Sequence, residues 1–123
     1  MTTFVPDNAA VWFEIPVADQ GRAKAFYAAV LGGELKDQEG GPNPMAVFPA
    51  ANENSVSGHL YPDKPAAAGT GITIHLAAPA PLEAAMERVA ANGGTVVSPI
   101  VTIPAGRFVY CLDPDGNSFG LFN

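Results

Sequence analysis

The sequence predicts an α+β domain made of two related βαβββ halves, and three observations carry that prediction. A strand-like stretch and a helical stripe occur twice in the same order, each stripe ends at a glycine pair, and corresponding residues keep one offset. Trp12 and Thr73, Glu14 and His75, and Gly32-Gly33 and Gly93-Gly94 all stand 61 residues apart, about half of the 123-residue chain. Residues 1–123 read as a single domain, with the first module over about 8–62 and the second over about 70–123.

Taken in order, Val11-Trp12-Phe13-Glu14-Ile15-Pro16-Val17 is short, β-prone and partly alternating, and reads as the first strand. Asp19 is placed to cap the helix that follows. Within it Ala23, Phe26, Tyr27, Val30 and Leu31 fall at i, i+3, i+4, i+7 and i+8, one apolar stripe. Gly32-Gly33 ends the helix, because glycine accepts the left-handed conformation that a helix C-terminus uses. Strand-like segments then cover Glu34 to Lys36, Met45 to Pro49 and Ser55 to Tyr61, with the turn formers Ala51-Asn52-Glu53-Asn54 before the last of them.

In the second half the strand is Gly71 to Ala77, and Leu82, Ala85, Met86, Val89 and Ala90 form the second stripe. Three further strands read as Thr95 to Val97, Phe108 to Leu112 and Ser118 to Phe122, with Pro114-Asp115-Gly116-Asn117 as the last turn. The helical stripes correspond at an offset of 59 rather than 61, so the two helices start and roll differently. Gly40 to Pro44 and Pro62 to Gly71 are loops, and the second links the halves.

Composition narrows the function. A hydrophobic content of 48% closes a core without covalent staples. The lone Cys111 can form no intrachain bridge and reads as a buried, inert thiol, so the expected compartment is the cytoplasm. Met1 to Asp7 lacks the basic start and apolar stretch of a signal peptide, and no apolar run is long enough to span a bilayer. Twelve acidic against six basic residues give a net charge of −6, which repels a polyanion, so neither nucleic acid nor membrane is an expected partner. No phosphate-cradling glycine loop, serine nucleophile elbow or cysteine pair for zinc is present.

The blocks Trp12-Phe13-Glu14-Ile15-Pro16-Val17-Ala18-Asp19, Phe26-Tyr27-Ala28-Ala29-Val30-Leu31-Gly32 and Leu112-Asp113-Pro114-Asp115-Gly116-Asn117-Ser118-Phe119-Gly120-Leu121 resemble the signature segments of the vicinal oxygen chelate superfamily, that of glyoxalases, bleomycin-resistance proteins and dioxygenases. With the internal repeat, the resemblance covers nearly the whole chain. It implies two paired βαβββ modules forming a curved, open eight-stranded sheet around a cavity, and a homodimer. In metal-dependent members the ligands come from the first, fourth, fifth and eighth strands; other members carry no metal and sequester a ligand. Fold membership therefore leaves function to the site.

At the family's ligand positions on the first, fifth and eighth strands this sequence has Trp12, Thr73 and Gly120, which departs from the metal-binding pattern. No cofactor is expected at those positions. Two residues beyond the first two of them stand Glu14 and His75, on the same strand faces by period-two alternation. They are the candidate catalytic residues: a carboxylate among Trp12, Phe13 and Ile15 is costly to bury unpaired, and pairing with His75 across the pseudo-twofold satisfies both groups, whether as a structural pair or as a general base. With His59 of the fourth strand they compose an alternative two-histidine, one-carboxylate set suited to Fe(II), Mn(II) or Zn(II). Trp12, Met45, Phe48, His59, Phe108 and Tyr110 are the candidate ligand-binding residues, an aromatic wall or else part of the core.

Two functions follow from this reading. One is a glyoxalase-like enzyme, a lyase, isomerase or dioxygenase relative, acting on a small oxygenated metabolite by proton transfer at Glu14 and His75. The other is a metal-free protein that sequesters a small apolar or aromatic ligand.

Overall fold

Strand β1 (Trp12–Val17) alternates strictly, with Phe13, Ile15 and Val17 turned toward the helices and Trp12, Glu14 and Pro16 on the opposite face. The computed structural model describes residues 3–123, so Met1 and Thr2, the start of the expected domain and of the N-terminal stretch, lie outside the described residues. Helix α1 (Gln20–Leu31) begins where Asp19 accepts the backbone N–H of Arg22 at 3.0 Å, which satisfies one of the free donors of its first turn. It ends at Gly32, whose φ of 76° is left-handed. Strands β2 (Lys36–Gln38), β3 (Met45–Val47) and β4 (Ser57–Pro62) complete the first half.

The second half repeats the order: β5 (Ile74–Ala77), α2 (Leu82–Ala91), β6 (Thr95–Val96), β7 (Val101–Ile103), β8 (Gly106–Leu112) and β9 (Ser118–Phe122). Both sheets are mixed. The first runs β1-β4-β3-β2 and the second β5-β9-β8-β6, with β7 also on β8. In each, the opening strand lies parallel to the closing one, and the registers correspond: Glu14 stands opposite His59 as His75 stands opposite Gly120.

Among the described residues nine strands thus stand where the sequence predicts eight, because the chain after α2 pairs with β8 twice. Val96 pairs with Cys111 and Val101 with Phe108, so two more residues separate the pairings on one strand than on the other, a bulge. Pro99 has no N–H to give at this point, and the Ser98 hydroxyl replaces a backbone acceptor by taking the Tyr110 N–H at 2.9 Å. In the first half, β2 begins at Lys36 rather than Glu34, and Leu35 just ahead of it is buried in the core.

One core serves both halves. Phe26 and Tyr27 of α1 meet Phe119 of β9 edge to face at 5.9 and 5.5 Å, and Tyr27 also meets Phe48 at 5.3 Å. The buried stripes are Ala23, Phe26, Tyr27 and Val30 on α1 and Leu82, Ala85 and Val89 on α2, which keeps the offset of the sequence stripes. Arg88 of α2 donates Nε and Nη2 to the Val30 carbonyl at 3.3 and 3.1 Å, covering an acceptor that the end of α1 leaves free. Glu83, in the first turn of α2, takes both arms of Arg107 at 3.0 Å; that bidentate pairing holds its carboxyl down to about 2. No helix among the described residues is long and apolar enough to cross a membrane.

Candidate functional site

The opening strands β1 and β5 are the facing edges of the two sheets, and a cleft runs between them. Its first part, about 470 Å³, is walled by Trp12, Phe13, Phe48, Val56, Ile74 and His75 among others. Its second part, about 420 Å³, is walled by Trp12, Phe13, Glu14, Ile72, Ile74 and Ser118 among others. Trp12, Phe13 and Ile74 line both parts, so the two volumes share one apolar partition.

Period-two spacing puts Trp12 and Glu14 side by side on the helix-free face of β1, and the parallel register brings His59 of β4 between them. Trp12 donates its indole N–H to His59 Nδ1 at 2.8 Å, and His59 Nε2 stands 3.3 Å from Glu14 Oε1. An indole only donates, so Nδ1 must carry the lone pair and Nε2 the proton. Nδ1 is thus committed to the indole, while Nε2 faces the carboxylate without a hydrogen bond to it. His59 is buried while the Glu14 side chain is 58% exposed.

This arrangement replaces the expected pairing of Glu14 with His75. Glu14 takes its partner from the neighbouring strand of its own sheet, where register sets the two side by side, whereas His75 belongs to the other sheet. His75 lies instead over Gly120, where a Cβ would overlap its Nδ1 and Cε1. Around it stand Phe108 at 5.1 Å, Tyr110 at 5.7 Å and Phe122 at 6.4 Å, ring centre to ring centre.

The other candidates divide. Phe48 is buried in the core and also walls the cleft, in contact with Phe13 at 5.3 Å. Phe108 and Tyr110 gather round His75 on the second sheet. Met45 pairs with Gln38 at the far side of the first sheet, beside Lys24 and Asp37, away from the cleft. Cys111 is buried, and burial pushes its thiol up to about 11, so it holds no thiolate near neutrality.

The sequence reading passes over Phe13, Ile72, Ile74 and Val56 as lining residues. Phe13 and Ile74 carry the alternation of core residues, and only the open edge of each sheet exposes them to the cleft. Ile72 had a signal in the repeat: it corresponds to Val11 at the same offset of 61, and both are exposed apolar residues just ahead of a strand. Polar groups near the second part of the cleft are mostly spent on each other. Thr73 Oγ1 and Ser118 Oγ share a hydrogen bond at 2.6 Å, and Asn117 Nδ2 donates to Pro16 O at 2.8 Å and to Asp113 Oδ2 at 3.0 Å.

The family model of the Glyoxalase/Bleomycin resistance protein/Dioxygenase superfamily matches residues 9–121. The chain belongs to this superfamily. A glyoxalase/bleomycin resistance protein from Albidiferax ferrireducens T118 superposes with a TM-score of 0.68 at 24% identity, over 93% of this chain and 97% of that one. A glyoxalase/bleomycin resistance protein from Streptomyces sp. CB03234 gives 0.65 at 27% identity, over 94% and 100%. TnmS3, an antibiotic binding protein from the same organism, gives 0.64 at 26%, over 97% and 98%. No curated protein matches the chain.

Members of the superfamily that hold a divalent metal do so with side chains from both modules, and the residues here do not fit such a group. Among the described residues no three His, Cys, Asp or Glu side chains gather where they could hold one. The alternative set of Glu14, His59 and His75 is not assembled: the first two stand 3.3 Å apart, but Trp12 occupies the Nδ1 lone pair of His59, and His75 stands over Gly120 in the other sheet.

Proposed function

We propose that this superfamily member is a small-molecule binding protein that takes an apolar, planar ligand into the cleft between β1 and β5 and releases it unchanged. The observation that carries this reading is the Trp12-His59-Glu14 chain. It commits His59 Nδ1 to the indole, sets Nε2 3.3 Å from the Glu14 carboxylate, and fixes the indole as a wall of an otherwise apolar cleft. Apolar walls with few placed polar groups are what a small ligand needs for burial. The likeness to an antibiotic binding protein supports the same reading.

Trp12 is the only tryptophan in the chain, so its fluorescence reports on the cleft alone. Titration with a panel of planar aromatic natural products, bleomycin among them, is expected to give a saturable change with at least one compound, recovered at unchanged mass. No saturable change with any member, or recovery of a product, would count against sequestration.

A second reading keeps the proton-transfer enzyme, favoured by one observation: Glu14 is exposed, with His59 Nε2 standing 3.3 Å from its carboxylate. Glu14 is then the base toward a small oxygenated substrate, and His59 a positioning residue. A product in the same titration, absent with Glu14→Gln, is the outcome this reading expects. The homodimer is kept as part of both readings, since Trp12 and Tyr110 on the helix-free faces remain partly uncovered within one chain. Sedimentation equilibrium at micromolar concentration is expected to give twice the chain mass, and a single-chain mass overturns it.

A further inference from the structure

Resting on the cleft reading, we infer that the preferred ligand carries a positively charged amine beside its aromatic part, and that Glu14 with Trp12 selects it. Among the side chains lining the two parts of the cleft, Glu14 alone bears a formal charge, and no lysine or arginine is present there. The neighbouring imidazole does not cancel that charge. Because the Trp12 N–H donates to Nδ1, that nitrogen carries no proton, and Nε2 stands 3.3 Å from Glu14 Oε1 without a hydrogen bond to it. His59 Nε2 lies nearest Oε1, and among the described residues neither carboxylate oxygen accepts a hydrogen bond, on a side chain open to the cleft.

The indole completes the site. Its N–H is committed to His59, so the ring is held in one orientation beside the carboxylate, and Trp12 is still 46% exposed. A fixed indole face next to a free carboxylate oxygen offers an ammonium group a cation–π contact together with a charge-assisted hydrogen bond. An anionic ligand finds no lysine or arginine there. The Thr73 and Ser118 hydroxyls bond each other, and the Asn117 amide is spent on Pro16 and Asp113. The net charge of −6 adds a long-range attraction for cations. His75, at the other part of the cleft, is in the second sheet and bonds neither Glu14 nor Trp12.

The test compares 1-naphthylmethylamine, protonated at neutral pH, with 1-naphthylmethanol, its uncharged counterpart, by calorimetry on wild type and Glu14→Gln. The glutamine keeps the size and shape of the side chain without its charge, and circular dichroism checks that the variant is folded. Wild type is expected to bind the amine about tenfold more tightly than the alcohol, with the preference shrinking as salt is raised. In Glu14→Gln the preference is expected to fall to about twofold, the part that the Trp12 face and the net charge supply, while affinity for the alcohol changes less than about twofold. Equal binding of both probes by wild type, or a preference undiminished in Glu14→Gln, overturns the amine inference and leaves the cleft reading standing. No saturable binding of either probe overturns the cleft reading and this inference with it.

Discussion

His75 lies over Gly120 because β5 and β9 run parallel with the two residues side by side in register, and a residue without Cβ leaves room for the ring. The superfamily's eighth-strand ligand position is thus filled by an imidazole reaching from β5 and offers no donor of its own. Gly120→Ala is expected to push the imidazole out of its place among Phe108, Tyr110 and Phe122 and to leave the fold intact. Alanine is the better strand residue by about 0.5–1 kcal/mol, which offsets part of the displacement, so overall stability changes by less than about 1 kcal/mol. NMR of the imidazole protons checks this; unchanged His75 resonances in a folded variant would show that the glycine does not set the ring's position. The faces of Glu14 and His75 were legible in the sequence because side chains alternate along a strand. The partner of Glu14 was not legible, since it depends on which strand lies beside β1 and in what register, and that strand lies 45 residues further on.

Among the elements, both helices and their ends were legible, because an apolar stripe of period 3.6 and a glycine stop are local signals. The difference in roll was also legible, as two offsets that disagree by two residues. Strand β7 was hidden by Pro99, which reads as a break. The chain crosses that break with a bulge, a serine hydroxyl standing in as acceptor, and resumes pairing on β8. Whether pairing resumes depends on how far β8 extends, and β8 begins at Gly106 rather than at Phe108. The Asp113-Pro114-Asp115-Gly116 segment is the tight turn its residues announce, with Asp113 Oδ1 accepting the N–H groups of Asp115 and Asn117 at 2.9 Å. Its docking against β1 was beyond a local reading: Asn117 holds the Pro16 carbonyl, and Asp115 holds the Ala18 N–H at 3.2 Å and Arg22 at 2.8 Å.

At the scale of the molecule, Tyr27 joins the halves. It stands on α1 of the first module, packs between Phe48 and Phe119, and donates its hydroxyl to Asp113 Oδ2 at 2.7 Å in the turn of the second. Burial, then the negative charge of Asp113 and the hydrogen bond to it, raise the Tyr27 phenol well above its usual 10.0. Burial likewise raises the Cys111 thiol from 9.0 to about 11. Both groups are neutral when protonated, so on the alkaline side the unfolded chain gives up these protons first. Stability from the pair is then fully present below about pH 9 and declines as pH rises past the unfolded values, by about 1.4 kcal/mol per unit for each group that ionises only when unfolded. Urea unfolding is therefore expected to show a falling midpoint from about pH 9 to 11. Tyr27→Phe removes a hydrogen bond to a carboxylate and is expected to cost about 2 kcal/mol at neutral pH. It is also expected to flatten the decline above pH 10, and Cys111→Ala to flatten the part that begins near 9. A midpoint that does not move over this range, or one that falls as steeply in Tyr27→Phe as in wild type, would show that the Tyr27-Asp113 joint is not what alkali breaks.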